Sequence, residues 1–535
     1  MTANLAELLT RAAAESPDRV ALVDAATGRR TTWSELEDAV SRVAAGLGEL
    51  GLVAGNRVVL STANRPEFVT AYLAVLRAHL VAVPVNPRAA TGELVRTAAD
   101  CRPRLLVADS TTITSARSVA TGLEEALRGA DEELRARAVV PRIVALDCPP
   151  AAGEAEWSAL LGTAPRALPA ARDAESLAVL LYTSGTSSVP RAAMLSHRAL
   201  IANVEQAARV DPPMVRRDDV LYGVLPMFHV YGLNAVLGQV LCQQATLVVA
   251  DTFDPEGALD DIARYGVTVV PIAPPVLAHW RTVPDVAERL RGVRTIMSGS
   301  APLSPELVEE FTERSGLTVH QGYGLTEAAP VVTSTLCSKE VKAGSVGSAL
   351  PGVSLRLVDE TGGTPSGSDP GEILVAGDNL FDGYWPDASD GPVDGWLATG
   401  DVGFLDGDGD LFLVDRLKEI IIVSGFNVYP SEIEELLADV DGVLEAAVVG
   451  VPDELTGEAV VAYVRPDPAR LDPADEAAVT ELRRRVREIC EASLARFKQP
   501  SRLEVVPALP RTITGKIAKG RLRTVIRREG MGLIE

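Results

Sequence analysis

Residues 57–87 read RVVLSTANRPEFVTAYLAVLRAHLVAVPVNP. An apolar β-branched run starts at Arg57, an amphipathic stretch starts at Pro66, and a second apolar run starts at Val81. Proline suits a first-turn helical position, because the N–H it lacks is one a helix leaves unpaired there anyway. Strand, helix and strand in this compass form the unit that builds parallel sheets covered by helices. Working outward, the same alternation returns. Strand candidates are RLLVADS from Arg104, LAVLLYT from Leu177, ATLVVAD from Ala245, VTVVPIA from Val267 and VRTIMSG from Val293. The fold class is α/β. Ser34 with Glu37 reads as a capping box for the helix EDAVSRVAAGLGEL.

The pattern changes after about Ser345. SLRLVDE, GEILVAG and the pair GFLDGDG–DLFLVDR read as antiparallel strands, with Asp-Gly turns at 406–409. Asp406, Asp408 and Asp410 read as solvated turn acids, and Asp401 as the end of a short strand. After Arg416 a smaller α+β unit follows: EIIIVSG, a helix capped by Ser431 and Glu434, LEAAVVGV, EAVVAYVRP, a charged helix over 477–494, RLEVVPALP and a basic tail. The expected organisation is an N-terminal domain over 1–415, a hinge at 416–419 and a mobile C-terminal domain over 420–535. The Pro- and Ala-rich stretch 149–172 reads as a surface connection.

The 535 residues carry 51 Lys plus Arg against 73 Asp plus Glu, a formal charge of −22. Such a chain repels phosphate backbones and anionic headgroups, which excludes nucleic-acid or membrane-surface binding as its main role. No run reaches about 18 apolar residues, so integral membrane association is not expected. The first residues, MTANLAELLTRAAAESPDR, are amphipathic and contain acids, unlike a secretory signal. Cys101, Cys148, Cys242, Cys337 and Cys490 form no C-x-x-C pair, which fits a reducing cytoplasm. The five histidines show no metal-ligand spacing. Only six basic residues are lysine: Lys339, Lys342, Lys418, Lys498, Lys516 and Lys519. Arginine serves for plain positive charge here, so each lysine asks for a reason.

Four segments carry chemistry. LLYTSGTSSVPRAAMLSH, from Leu180, places Thr183, Ser184, Gly185, Thr186, Ser187 and Ser188 directly after an apolar strand. Backbone N–H groups and hydroxyls there can wrap phosphate oxygens; a flexible surface loop is the alternative. The Walker spacing is absent. QGYGLTEAAP, from Gln321, sets two glycines for close approach of a planar ligand or phosphate beside Thr326 and Glu327, an acid suited to Mg²⁺; a turn before a helix is the alternative. In the third, the Asp401 carboxylate could accept both hydroxyls of a ribose, and Asp415, Arg416 and Lys418 follow at the domain boundary; turn acids and solvated charges are the alternative. In LPRTITGKIAKGRLR, Lys516 lies in a basic tail.

In this order and at these intervals, the four segments resemble the adenylate-forming superfamily: acyl- and aryl-CoA ligases, amino-acid adenylation domains and luciferases. The resemblance spans nearly the whole chain and includes LPMFHVYGL, SGSAPLS, GSVGSALPG, GEILVAGDNLFDGYW and GFNVYPSEIEE. It implies a large domain with parallel sheets and a β-rich portion, plus a small mobile domain. It also implies a two-step reaction: a carboxylate and ATP give acyl-AMP and pyrophosphate, then the small domain rotates and the acyl group passes to a thiol. By the same resemblance, Thr183 to Ser188 would hold the β- and γ-phosphates, with Arg191 keeping the charge that relatives carry as lysine. Gly299, Ser300, Ala301, Gly322, Tyr323 and Gly324 would line the adenine. Thr326 would touch the α-phosphate and Glu327 would place Mg²⁺. Asp401 and Arg416 would hold the ribose. Lys516 would reach between the carboxylate and the α-phosphate, offsetting the repulsion of two anions. Lys418 would be the hinge and Gly425 would lie near the thiol's tunnel.

Departures occur at Ser188 and Ala192, where the pattern has glycine, and at His79, read as a packing change. Residues 228–234, FHVYGLN, contain no carboxylate to pair an amino acid's ammonium, so an α-amino acid is disfavoured. His229, Tyr231 and Leu233 are the expected acyl pocket. A fatty or other bulky apolar acid is the first expectation and an aryl acid the second. An acyl chain would bind by area, at about 0.8 kcal/mol per buried methylene. Coenzyme A is the expected acceptor, with an acyl-carrier protein as alternative, and the oligomeric state expected is monomer or homodimer. A non-catalytic nucleotide- or acyl-binding relative is the reading from a different class.

Overall fold

The computed structural model describes the chain except for residues 1, 127–138, 167, 169–172, 184–190, 302, 304, 360–361, 367–368, 417–418, 424–425, 454–455, 472–474, 495, 512–515 and 524–535. The stretch that opened the sequence forms strand Arg57–Ser61, helix Pro66–Arg77 with proline in its first turn, and strand Val81–Pro84, paired in parallel. Around it lies a seven-stranded sheet. Its order is Ala155–Glu156, Arg142–Ala145, Leu105–Ala108, Arg57–Ser61, Val81–Pro84, Leu177–Thr183 and Arg191–Ser196. Only the last pair is antiparallel.

A second sheet of nine strands has a parallel centre: Val319–Gly324, Thr295–Ser298, Val269–Ile272, Val220–Gly223, Thr246–Val249 and Val20–Asp24. Antiparallel strands close both edges. Both faces of a parallel sheet must be covered, which is why its strands read as unbroken apolar runs. One apolar core draws on both sheets (Val58, Leu60, Leu221, Leu247) and on helices Trp33–Glu49, Pro66–Arg77 and His197–Ala208. A four-stranded antiparallel sheet follows, Ser354–Val358, Gly371–Ala376, Leu397–Leu405 and Leu411–Arg416.

The smaller C-terminal domain has its own five-stranded sheet and its own core, in which Ile421, Ile433, Val448, Leu482 and Val486 meet. Helices Pro430–Ala438 and Glu476–Ser493 belong to it. The architecture is the expected one: a large α/β domain with parallel sheets and a β-rich portion, then a smaller α+β domain.

Several local expectations are corrected. The capping box before helix Trp33–Glu49 is Thr32 with Glu35, not Ser34 with Glu37. Thr32 ends an extended strand, so it holds the non-helical backbone a cap needs. Tyr429 precedes helix Pro430–Ala438, and the Ser431 hydroxyl donates to the Val414 carbonyl at 2.7 Å instead of capping. The 149–172 connection contains a short helix, Trp157–Gly162, with Trp157 and Leu160 buried. Asp401 lies within a nine-residue strand, not at its end. Asp410 is fully buried rather than solvated: Ser338 and Ser348 donate to it at 2.6 and 2.5 Å. Lys342 Nζ lies 2.6, 2.7 and 3.3 Å from Asp406, Asp408 and Asp410, so this lysine ties a loop to the acidic hairpin. His79 has φ of 57°, a left-handed conformation that glycine adopts without strain.

Candidate active site

The candidate residues gather where parallel strands end. Thr183 closes strand Leu177–Thr183, Gly299 follows Thr295–Ser298, and Gly322, Tyr323 and Gly324 close Val319–Gly324. In open α/β sheets these carboxyl ends are where ligands bind. Ser184, Gly185, Thr186, Ser187 and Ser188 lie outside the described residues, as do Lys418 and Gly425.

Ser300 has φ of 75°, a left-handed backbone unusual for a residue with a side chain. Such strain costs about 1–3 kcal/mol and collects at functional sites. Ala301 follows it, half-buried. The glycines serve partly for a reason other than ligand approach. A Cβ at Gly324 would stand 2.3 Å from the Pro330 carbonyl oxygen, and one at Gly322 2.8 Å from that of Thr333. The neighbouring chain fills the space. At Gly299 a Cβ would stand 3.2 Å from the Tyr231 ring.

Thr326 and Glu327 sit on a single 3₁₀ turn, Thr326–Ala328. The Tyr384 hydroxyl donates to Glu327 Oε1. The Phe381 N–H donates to the Glu327 carbonyl at 2.9 Å, and Asn379 Nδ2 to that of Ala328 at 2.7 Å. Asp401 faces Arg416 across two strands and accepts the Tyr323 hydroxyl at 2.7 Å. Arg191 lays its guanidinium 3.8 Å above the Tyr384 ring and pairs with Asp390 at 2.8 Å. Tyr384 and Asp390 were not singled out from the sequence; the signal available was the Gly-Tyr-Trp within GEILVAGDNLFDGYW.

At the expected acyl pocket, Tyr231 donates its hydroxyl to the Met297 carbonyl at 3.0 Å, so its ring alone is offered to a ligand. Leu233 is fully buried in the large core. The Nε2 of His229 is buried with no hydrogen-bond partner. Burial first, and the ammonium of Lys516 second, lower the His229 pKa to about 4. Lys516, exposed in the small domain, therefore acts electrostatically on the pocket wall of the large one.

Residues 9–385 match the AMP-binding enzyme family, and residues 432–516 match the AMP-binding enzyme C-terminal domain. The chain belongs to this adenylate-forming family. The 4-coumarate–CoA ligase CCL1 of Humulus lupulus is 32% identical over 522 residues, covering 95% of this chain and 91% of that protein. Another relative, 4-coumarate–CoA ligase 5 of Oryza sativa subsp. japonica, is 34% identical, covering 95% and 92%. ATP-bound MatB from Rhodopseudomonas palustris superposes with a TM-score of 0.85 at 32% identity, over 98% of this chain and 99% of that one. The apo form of MatB superposes with a TM-score of 0.75. This chain is an enzyme of the AMP-forming acid–thiol ligase class. Among the described residues no helix is long and apolar enough to cross a membrane.

Proposed function

We propose that this enzyme activates an apolar carboxylic acid with ATP and transfers the acyl group to coenzyme A. The observation that carries the reading is the match of residues 9–385 and 432–516 to the AMP-binding enzyme family and its C-terminal domain, with Thr326, Glu327 and Lys516 inside the matched stretches. Adenylation brings a carboxylate against an α-phosphate, and a cation placed between them stabilises the charge on the transferring group. In this reading Lys516 supplies that cation, and the neutral His229 Nε2–H meets the substrate carboxylate. Thr326 contacts the α-phosphate. Asp401 and Arg416 hold the ribose, and Tyr323 with Gly299 to Ala301 lines the adenine. Residues 416–419 form the hinge between the domains.

Mg²⁺ fits this site. Among the described residues no group of three or more His, Cys, Asp or Glu could hold a metal ion. Mg²⁺ characteristically takes one or two carboxylates and completes its shell with phosphate oxygens and water. Glu327 is the carboxylate that would hold it, and the cation would neutralise phosphate charge.

For the acid, the absence of a carboxylate from residues 228–234 argues against an amino acid. The relatives are named 4-coumarate–CoA ligases, and a solved neighbour at 25% identity and TM-score 0.85 is an anthranilate CoA ligase. Those names favour an aryl acid as the first class to test and a fatty acid as the second. The experiment is a mass-spectrometric screen of both classes with ATP, Mg²⁺ and CoA. Acyl-AMP and acyl-CoA formed with one class support the reading. Acyl-AMP without acyl-CoA transfers the acceptor role to a carrier protein. No adenylate with any acid overturns it.

A further inference from the structure

We propose that Tyr384, braced by Arg191, is a positioning residue for the Glu327 carboxylate. The inference rests on the reading of Glu327 as the Mg²⁺ carboxylate.

Glu327 sits on one turn of 3₁₀ helix, and its carboxylate rotates about three side-chain bonds unless something stops it. The Tyr384 hydroxyl stops it by donating to Oε1. A phenol keeps its proton near neutral pH, so the hydroxyl is a donor to the carboxylate. The ring is held from three sides. The Phe381 ring meets it edge-on at 5.1 Å. The Tyr384 N–H donates to the Ser389 carbonyl at 2.9 Å. On the open face lies the Arg191 guanidinium, 3.8 Å from the centroid. Its far end is fixed by Asp390 Oδ2 at 2.8 Å and by Ser389 Oγ at 3.2 Å.

A planar guanidinium can stack on the ring and hold two acceptors at once. A lysine ammonium has no plane and cannot do both. Arginine at 191 is then more than a habit of this chain, because it clamps the ring that aims the acid. With Oε1 engaged by Tyr384, Glu327 would offer its carboxylate to the cation already oriented, which would remove an ordering cost from metal binding.

The test uses the full chain with Tyr384→Phe, Arg191→Lys and Glu327→Gln. Mn²⁺ serves as a paramagnetic probe titrated into the ATP complex, and ATP binding is measured separately in EDTA. Tyr384→Phe keeps the ring and the fold. It should weaken Mn²⁺ binding to the ATP complex roughly 3- to 10-fold, the size of a typical net hydrogen bond. Metal-free ATP binding and the KM for the acid should stay unchanged. Arg191→Lys should move the same way by a smaller factor. If Glu327→Gln weakens Mn²⁺ binding and Tyr384→Phe does not, the positioning role is overturned and the role of Glu327 stands. If neither moves it, Glu327 is not the metal carboxylate and the inference falls with it. Equal losses by Tyr384→Phe in metal-free ATP binding and in Mn²⁺ binding mark a general structural role and also overturn it.

Discussion

In the proposed mechanism Glu327 and Lys516 serve one site from two domains, and their surroundings differ. Glu327 is anchored within the large domain, by the Phe381 N–H on its carbonyl and the Tyr384 hydroxyl on its carboxylate. Lys516 is exposed, and an anchor lies three residues further on. Lys519 Nζ sits 3.0 Å from Glu419 and 2.9 Å from Glu434, with its side chain only 14% exposed. Lys519 and Glu434 lie in the small domain, and Glu419 is the last residue of the proposed hinge, directly after Lys418. Two lysines in one short segment thus do opposite work. Lys516 is the proposed catalytic cation, and Lys519 is paired with two carboxylates that hold the segment. In the proposed mechanism the large domain holds Glu327 in place, while the small domain carries Lys516 and moves as a unit.

Breaking the delivery should have the largest effect. Lys418→Pro freezes the proposed hinge and should lower thioester formation on the order of 10³-fold while sparing pyrophosphate exchange. Rapid-quench measurement of both half-reactions checks it; loss of exchange first places the hinge elsewhere.

Acid should then separate the domains. All five histidines, His79, His197, His229, His279 and His320, lie in the large domain. His197 is buried, accepts the Leu5 N–H at Nδ1 at 3.2 Å, and is pushed down to about 4 by burial and secondarily by His79. Between pH 6.5 and 4 the unfolded chain takes up a proton that the native His197 refuses. Stability therefore falls on acidification through that window and stops falling below about 4. The loss is on the order of 3 kcal/mol for this group. Denaturant melts at pH 7, 5 and 4 should show it in the large domain, and His197→Asn should shrink it.

Loosening the small-domain anchor comes next. Lys519→Met leaves Glu419 and Glu434, both largely buried, without their cation. A cost of about 2 kcal/mol to small-domain stability is expected, less than for a fully buried pair. Lys519→Arg should recover part of it in the same melts. The smallest effect concerns the large domain alone. His79→Gly relieves a left-handed backbone and should stabilise by about 0.5–1 kcal/mol, read as a small rise in Tm.

Much of the scaffold was legible because apolar runs bounded by turn residues leave few alternatives. The strands from Arg57, Val81, Leu105 and Leu177 stand where those runs are. Caps were not, for a local reason. Thr32 with Glu35 and Ser34 with Glu37 are overlapping pairs of identical spacing, and only the strand Arg30–Thr32 decides between them. At Pro430 the proline takes the first turn, so the serine after it is free to bond Val414. Asp410 read as solvated because the residues that bury it, Ser338, Lys342 and Ser348, lie more than sixty positions away. Tyr384 was illegible for the same reason. Its partner Glu327 is 57 positions distant, and Arg191 reaches Ser389 across 198. Motif order named the candidate residues, but contacts such as those of Tyr384 and Asp410 exist only in three dimensions.

The central claim is that Lys516 brings charge to the first half-reaction and leaves for the second. The direct measurement is Lys516→Ala assayed for both. Acid-dependent exchange of labelled pyrophosphate into ATP should fall on the order of 10²–10³-fold, the cost of removing one stabilising group from a developing charge. Thioester formation from preformed acyl-AMP and CoA should remain near the wild-type rate. Equal loss in both half-reactions, or exchange left intact, would contradict the account.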